Sequence, residues 1–241
     1  MNARAAGVAE TDQEPTLPAI DVEGVSRNYH LGRVEVRALS AVTLTIARGE
    51  MVCVMGRSGS GKSTLLRQLS LIDRPDAGRI TIDGVEVTRL PERSRSHLRL
   101  AKLGYVFQEY ALVPELTAEE NVYLPGMMLG HPRGDYRWRA RDILGLVGLG
   151  DRISHRPREL SGGEQQRVAI ARSLINNPSV IFADEPTANL DSISGRTVME
   201  TLMDLNRRLS VTVVFVSHDA DDRRYAGRVL FLRDGRLAEG F

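Results

Sequence analysis

The chain has one cysteine, two lysines among 32 basic residues and almost no net charge, and no long apolar run interrupts its 241 residues. Each shortage removes a class of protein. Cys53 has no second thiol to pair with, so a disulfide framework and a dithiol redox centre are both excluded; its place in the apolar run MVCVM marks it as buried filler in a reducing compartment. A formal charge of +1, from 32 basic and 31 acidic residues, offers no global excess to attract a polyanion, so no nucleic acid is expected as a partner. No stretch reaches the roughly 18 apolar residues that a membrane span needs. The chain is therefore expected to be soluble, with any membrane connection made through a partner or at the bilayer surface. Residues 1–19, MNARAAGVAETDQEPTLPA, lack the apolar segment of a secretory signal and read as a flexible lead-in.

The scarcity of lysine points to a site. Thirty arginines stand against Lys62 and Lys102, and Lys62 falls within GRSGSGKST, residues 56–64, which matches G-x-x-x-x-G-K-[ST]. The motif follows the apolar run MVCVM and opens the helical pattern TLLRQLSLI. Gly56, Gly59 and Gly61 permit backbone conformations that turn N–H groups toward phosphate oxygens, and the helix adds its positive end. Lys62 is expected at the β and γ phosphates and the Ser63 hydroxyl at Mg²⁺. Ser58, Ser60 and Thr64 complete the loop that would hold a nucleotide's phosphates. A flexible turn before a helix would explain neither the lysine nor the spacing.

The remaining pattern predicts an α/β fold. AIDVEGV, VEVRAL, VTLTI and GRITI read as strands of an antiparallel region, the last followed by an Asp83–Gly84 turn. MVCVM, SVIFAD and VTVVFVSH are continuously apolar, as parallel strands covered on both faces are. Ligands gather beyond the carboxyl ends of such strands. From about Leu90 to Leu160 Arg-rich helical stretches, broken by GYVFQ, read as an inserted helical lobe, and RVLFLRDGRLAE as a closing hairpin turned at Asp234–Gly235. Residues 20–241 are thus expected to form one domain: a parallel-sheet core flanked by helices, an antiparallel subdomain and a helical subdomain at about 90–160.

VIFADEP places two carboxylates where a buried strand stops, an arrangement that is costly unless a cation or a reacting water compensates. Neighbouring strand residues point to opposite sides, so Asp184 is assigned to the Mg²⁺ shell and Glu185 to polarising the attacking water. Taken in order, GRSGSGKST, Gln108 in YVFQ, LSGGEQQR, IFADEP, ANLD and SHD resemble an ATP-binding-cassette ATPase, over essentially the whole chain after Ile20. The resemblance implies a phosphate-loop NTPase core. It also implies that Tyr29 stacks on adenine, that Gln108 reaches the metal and the water, that Asp191 acts across a subunit interface and that His218 contacts the γ phosphate. Residue by residue, plainer readings stand beside these: packing for Tyr29, a strand-end amide for Gln108, a helix N-cap for Asp191 and a satisfied strand-end histidine for His218.

LSGGEQQR poses a separate question, because a second glycine-rich helix entrance is superfluous in a chain that already has a phosphate loop. Ser161 and Glu164 make a capping box, but that does not explain Gly162 and Gly163, which bare the N–H groups at the positive end of a helix. The resemblance implies that this entrance closes on the triphosphate held by a second copy, so that ATP favours a head-to-tail homodimer. Within the family, the stretch 108–125 and its flanks are most similar to the lipoprotein-release, macrolide-export and cell-division branch. That similarity implies a cytoplasmic ATPase, peripheral on the inner face of the membrane, driving a separate integral membrane permease. A nucleotide-gated regulator outside transport is the alternative. The Arg-rich faces SRSHLRLAK and RGDYRWRAR read as solvated surface or as contacts to lipid headgroups or the permease.

Overall fold

The computed structural model describes residues 17–32, 34–130 and 132–238. The chain opens with two long strands, β1 (Ile20–Leu31) and β2 (Val34–Ile46), then β3 (Met51–Met55), the helix α1 (Lys62–Leu69), β4 (Ala77–Ile82) and β5 (Val85–Glu86). Its middle holds α2 (Glu92–Lys102), β6 (Leu103–Val106), α3 (Ala118–Met128), α4 (Arg133–Leu146) and α5 (Gly162–Leu174). It closes with β7 (Val180–Asp184), α6 (Ser192–Leu209), β8 (Thr212–Val216), β9 (Arg228–Arg233) and β10 (Arg236–Ala238).

Two sheets result. One is antiparallel, in the order β2-β1-β4-β5; the other has six strands in the order β10-β9-β3-β8-β7-β6. In the larger sheet β9, β3, β8, β7 and β6 run parallel, and β10 turns back antiparallel on β9 through Asp234–Gly235, both with positive φ. The three continuously apolar segments are the three central strands, as their sequence predicts. Their alternate residues feed different cores. Met51, Cys53, Ile181, Ala183, Val213 and Phe215 join the cluster built with α3, α4, α5 and α6, whereas Val52, Val54, Val180, Phe182, Val214 and Val216 join the one built with α1 and the antiparallel sheet. A strand covered on both faces has no position left for a polar residue, and so the polar residues collect at the strand ends.

The described chain departs from the sequence reading in three places. VEVRAL and VTLTI are one strand, β2, carrying a bulge: Val25 pairs with Val42 and Arg27 with Leu39, which leaves Ser40 and Ala41 opposite Ser26 alone, with Ala41 at φ 49°. The segment GYVFQ, read as a break in the helical lobe, supplies β6, which pairs with β7 at the edge of the larger sheet; α2 packs against it, so both belong with the core. The inserted lobe therefore comprises α3, α4 and their connections, clamped where the buried Glu119 accepts from Arg137 at 3.1 Å and Arg141 at 2.6 Å. At the start, Ala19 is already buried and its N–H donates to the Ile46 carbonyl at 2.9 Å, while residues 1–16 of the expected flexible lead-in lie outside the described residues.

Cys53 is fully enclosed between α-helical and sheet layers, and burial pushes its thiol up to about 12. The native protein at pH 8 should leave this thiol unmodified by a disulfide reagent over hours, and denaturant should release one reactive equivalent. Rapid labelling of the folded protein would contradict this packing.

Candidate functional site

The phosphate loop leaves the end of β3 and enters α1. Gly61 is the N-cap of α1 at φ 103°, with no side chain capping the helix; a Cβ there would collide with the Ala38 carbonyl, so only glycine fits. The first-turn N–H groups of α1 are thereby left for an anion. Lys62, buried, lies back along the loop and donates from Nζ to the carbonyls of Gly56 at 2.9 Å and Arg57 at 3.1 Å. A compact ammonium with three donors fits this seat and can turn a donor to a phosphate.

Two strand ends bring the chemistry to the loop. Ser63 Oγ donates to Asp184 Oδ1 at 2.9 Å and Tyr105 donates from its hydroxyl to Asp184 Oδ2 at 3.3 Å. Burial raises the Asp184 carboxyl above the ordinary carboxylate range, against the hydrogen bonds that hold it down. A hydroxyl and a carboxylate oxygen in contact make a hard-donor pair suited to Mg²⁺, which is ordinarily held by one or two protein groups together with phosphate oxygens and water. Among the described residues no group of three or more His, Cys, Asp or Glu could hold a metal ion by itself.

Next along the chain, Glu185 sits at φ 46°, a conformation that is strained for a residue with a side chain, and its N–H donates to the Val216 carbonyl at 3.1 Å. His218 Nδ1 lies 3.2 Å from Glu185 Oε2. A cleft of about 680 Å³ gathers Tyr29, Ser58, Gly59, Gly61, Lys62, Ser63, Thr64, Glu185 and His218, with Val36 and Ala38 on its wall. Arg27 covers the Tyr29 ring at 4.8 Å, and Asp73 takes both the Tyr29 hydroxyl, at 2.9 Å, and Arg27, at 3.2 Å. Tyr29 thus presents a braced aromatic ring to the cleft. Gly56 and Ser60 lie behind the loop: the buried Ser60 faces a second cavity with Phe231 and Leu232.

Six of the candidate residues, Gln108, Ser161, Gly162, Gly163, Glu164 and Asp191, are elsewhere. Gln108, exposed in the turn after β6, does not line the cleft, and its carbonyl accepts from Asn189 at 3.2 Å. Ser161 caps α5 in the expected box: Ser161 Oγ accepts from the Glu164 N–H at 3.3 Å and Glu164 Oε2 accepts from the Ser161 N–H at 2.8 Å. Glu164 also takes Arg152 at 3.2 Å, so its carboxylate is occupied with the cap and the lobe rather than aimed outward at a ligand. A Cβ on Gly162 would stand 2.8 Å from the Tyr110 hydroxyl, and one on Gly163 3.0 Å from Ser194 Cβ. The α5 entrance is therefore packed against the start of α6, where Asp191 Oδ1 accepts from the N–H groups of Ile193 and Ser194, each at 3.0 Å. Two clusters of motif residues thus exist in one chain, one around Lys62 and one around Ser161.

The sequence reading missed the supporting residues. Asp73 and Asp222 fall outside the motifs, and Tyr105 and Gln166 stand inside YVFQ and LSGGEQQR with no role read for either. A signal existed for Gln166, a polar residue on the otherwise apolar inner stripe of α5, with Gly163 and Ile170.

Comparison with known proteins bears on this geometry. A family model described as ABC transporter matches residues 39–188. The lipoprotein-releasing system ATP-binding protein LolD of Bordetella pertussis is 43% identical over 227 residues, covering 94% of this chain and 98% of that protein. The macrolide export ATP-binding/permease protein MacB 1/2 of Paracoccus denitrificans is 48% identical over 224 residues, which are 93% of this chain but 33% of that longer protein. Among solved structures, a dimer of the ATP-binding cassette MJ0796 in a post-hydrolysis state bound to ADP and Pi superposes with a TM-score of 0.83 at 40% identity, covering 92% of this chain and all of that one.

The raised Asp184 carboxyl has a testable consequence. Its contribution to stability is favourable below the ordinary carboxylate range and is lost as pH rises through its shifted value, so at pH 7 the ionised group is a cost. Asp184→Asn without nucleotide should melt about 2–4 °C higher at pH 7. The gain should shrink toward acid pH, and Mg²⁺-dependent nucleotide binding should be lost. An unchanged or lower melting temperature would contradict the assignment.

Proposed function

The chain belongs to the ABC transporter family, and we propose that it is the ATP-binding and hydrolysing subunit of a transporter, two copies of which close head to tail on two ATP molecules and drive a separate membrane permease. The observation that carries this reading is the division of the motif residues: the cleft around Lys62 has everything needed to hold one side of a triphosphate, and the bared entrance of α5 lies outside it. In the proposed dimer, Ser161, Gly162 and Gly163 of one copy, with Asp191 beside them, complete the cleft of the other. The dimeric MJ0796 structure, bound to ADP and Pi, supports that arrangement.

Within the cleft Tyr29 stacks on the base, while the loop from Gly56 to Thr64 and the Lys62 ammonium hold the phosphates. Ser63 and Asp184, with Gln108, would hold Mg²⁺, which would supply positive charge to offset that of the phosphates. Glu185 accepts the proton of the attacking water as its oxygen bonds to the γ phosphorus, and ADP leaves with the bridging oxygen. His218, against Glu185, steadies the γ phosphate. Loss of that phosphate removes the contacts shared by both copies and opens the dimer.

The permease assignment draws on the relatives. LolD is named as the ATP-binding protein of a lipoprotein-releasing system, and MacB as a fused ATP-binding and permease protein, of which this chain spans a third. No helix among the described residues is long and apolar enough to cross a membrane, which accords with a permease supplied by another protein and a location on the inner face of the cell membrane. A docking place is available beside the turn that carries Gln108: a cleft of about 500 Å³ lined by His97, Leu100, Tyr105, Pro125 and Met128, next to the exposed Met127.

Glu185→Gln tests the reading. It should bind ATP as tightly as the parent, lose at least about 100-fold in turnover and accumulate as a dimer with saturating ATP and Mg²⁺ in size-exclusion chromatography with light scattering. A variant that hydrolyses normally, or stays monomeric with ATP bound, refutes it.

A further inference from the structure

Gln108, Glu185 and His218 stand just beyond three adjacent strands, β6, β7 and β8, where the sheet ladder has ended at Val106, Asp184 and Val216. Beyond those points backbone bonds to the sheet are reduced, among the described residues, to Glu185 N–H on the Val216 carbonyl at 3.1 Å and Ser217 N–H on the Val54 carbonyl at 3.3 Å. Side chains must therefore set the rest of the loop spacing. Glu185 is moreover strained at φ 46°, a conformation that persists only where its surroundings impose it. Two buried side chains lie where such a constraint is required.

Gln166, on α5, is fully buried, and its Nε2 donates to the carbonyls of Phe107 at 3.2 Å and Pro186 at 2.9 Å. Both partners are acceptors, which fixes the amide with its nitrogen toward them. One carbonyl immediately precedes Gln108 and the other immediately follows Glu185. Asp222 is 7% exposed, and its Oδ2 accepts from the Thr187 hydroxyl at 3.0 Å and the Ser217 hydroxyl at 2.7 Å. Thr187 lies two residues past Glu185 and Ser217 directly before His218; Ser217 Oγ in turn accepts from the Asp219 N–H at 3.0 Å. The two side chains therefore reach the Glu185 turn at consecutive residues, 186 and 187, and each links it to a different neighbouring loop. Neither lines the nucleotide cleft.

We propose that Gln166 and Asp222 are positioning residues for hydrolysis: together they hold residues 185–187 in the strained conformation and lock the Glu185 carboxylate in register with Gln108 on one side and His218 on the other. The inference rests on Glu185 acting as the base. Because Gln166 lies five residues after Ser161 on the same helix, and Arg172 of that helix donates to the Tyr110 carbonyl at 2.9 Å, a shift of α5 is felt at the base and at the loop after Gln108. Neither residue lines the cleft and their hydrogen bonds go to Phe107, Pro186, Thr187 and Ser217 rather than to the phosphate loop, so ATP affinity should change little.

The test separates positioning from general stability. Gln166→Met keeps the packing volume and removes both donors; Asp222→Ala removes the shared acceptor; Asp222→Asn keeps an oxygen able to accept both hydroxyls. For Gln166→Met and Asp222→Ala, kcat should fall about 10- to 100-fold, while the Kd of a fluorescent ATP analogue stays within about twofold and the fold remains cooperative in thermal melts. Asp222→Asn should recover to within about threefold of the parent. If Asp222→Ala does not fold, Thr187→Val, which removes one of the two hydroxyls, reads the same contact and should slow turnover in the same sense. Parental kcat in both Gln166→Met and the Asp222 or Thr187 variant overturns the proposal. So does a loss of ATP affinity that accounts for the lost turnover, or an Asp222→Asn protein as slow as Asp222→Ala. Glu185→Gln run in parallel distinguishes the two levels: if it turns over, the base assignment fails; if it is dead while the positioning variants are fast, this inference alone fails.

Discussion

A triphosphate carries its charge on every side, and a single loop at the end of one strand can meet only one of them. That constraint organises this molecule. The loop from Gly56 to Thr64 places Lys62 and the uncapped start of α1 at one wall of the cleft, and the ends of β7 and β8 add Asp184, Glu185 and His218. The residues of the α5 entrance, Ser161, Gly162 and Gly163, do not line that cleft. The second bared helix entrance, at Ser161, is built into the same chain but packed against the start of α6, with Tyr110 and Leu190 as its neighbours. A protein with two halves of a site in two places acquires a whole one only by meeting another copy, and the affinity of that meeting depends on the ligand lying between them.

The central strands were the most legible part of the sequence, because a strand buried on both faces must be apolar throughout and can end only in polar residues. That logic located the ends of β3, β7 and β8 and the carboxylates there before any fold was visible. The glycines and lysine of the loop were legible for a similar reason: a phosphate admits few side chains near it. The edge strand β6 was harder to read, since four residues between two helices leave too short a pattern, and pairing with β7 is what makes it a strand. Likewise VEVRAL and VTLTI read as two strands because Ser40 and Ala41 interrupt the alternation, which in the structure is a bulge within β2.

Within the site, the residues proposed to meet the nucleotide were legible and those that hold them were not. Tyr29, Lys62, Ser63, Asp184, Glu185 and His218 fall in motifs or at strand ends. Asp73 behind Tyr29, Tyr105 against Asp184, and Asp222 between Thr187 and Ser217 act through side-chain hydrogen bonds across 44, 79 and 35 positions of chain, distances over which local pattern carries no information. Glu164 shows the reverse: it stands inside a motif, yet its contacts with Ser161 and Arg152 assign it to the architecture of the helix start. Strain is placed economically. The left-handed backbone at Glu185 aims the carboxylate, and the buried contacts of the turn supply the energy that keeps it there.

The claim that the catalytic unit is composite is tested most directly by mixing two inactive proteins. Lys62→Ala destroys the phosphate loop and keeps the α5 entrance; Ser161→Arg blocks the entrance and keeps the loop. Neither should hydrolyse ATP alone. In a head-to-tail pair one of the two sites joins the intact loop of one copy to the intact entrance of the other, so ATPase activity should appear on mixing and rise with the fraction of mixed dimers. If the mixture stays as inactive as its components while the mixed dimer demonstrably forms, or if Ser161→Arg alone retains full turnover, the two halves do not belong to one site and the account is wrong.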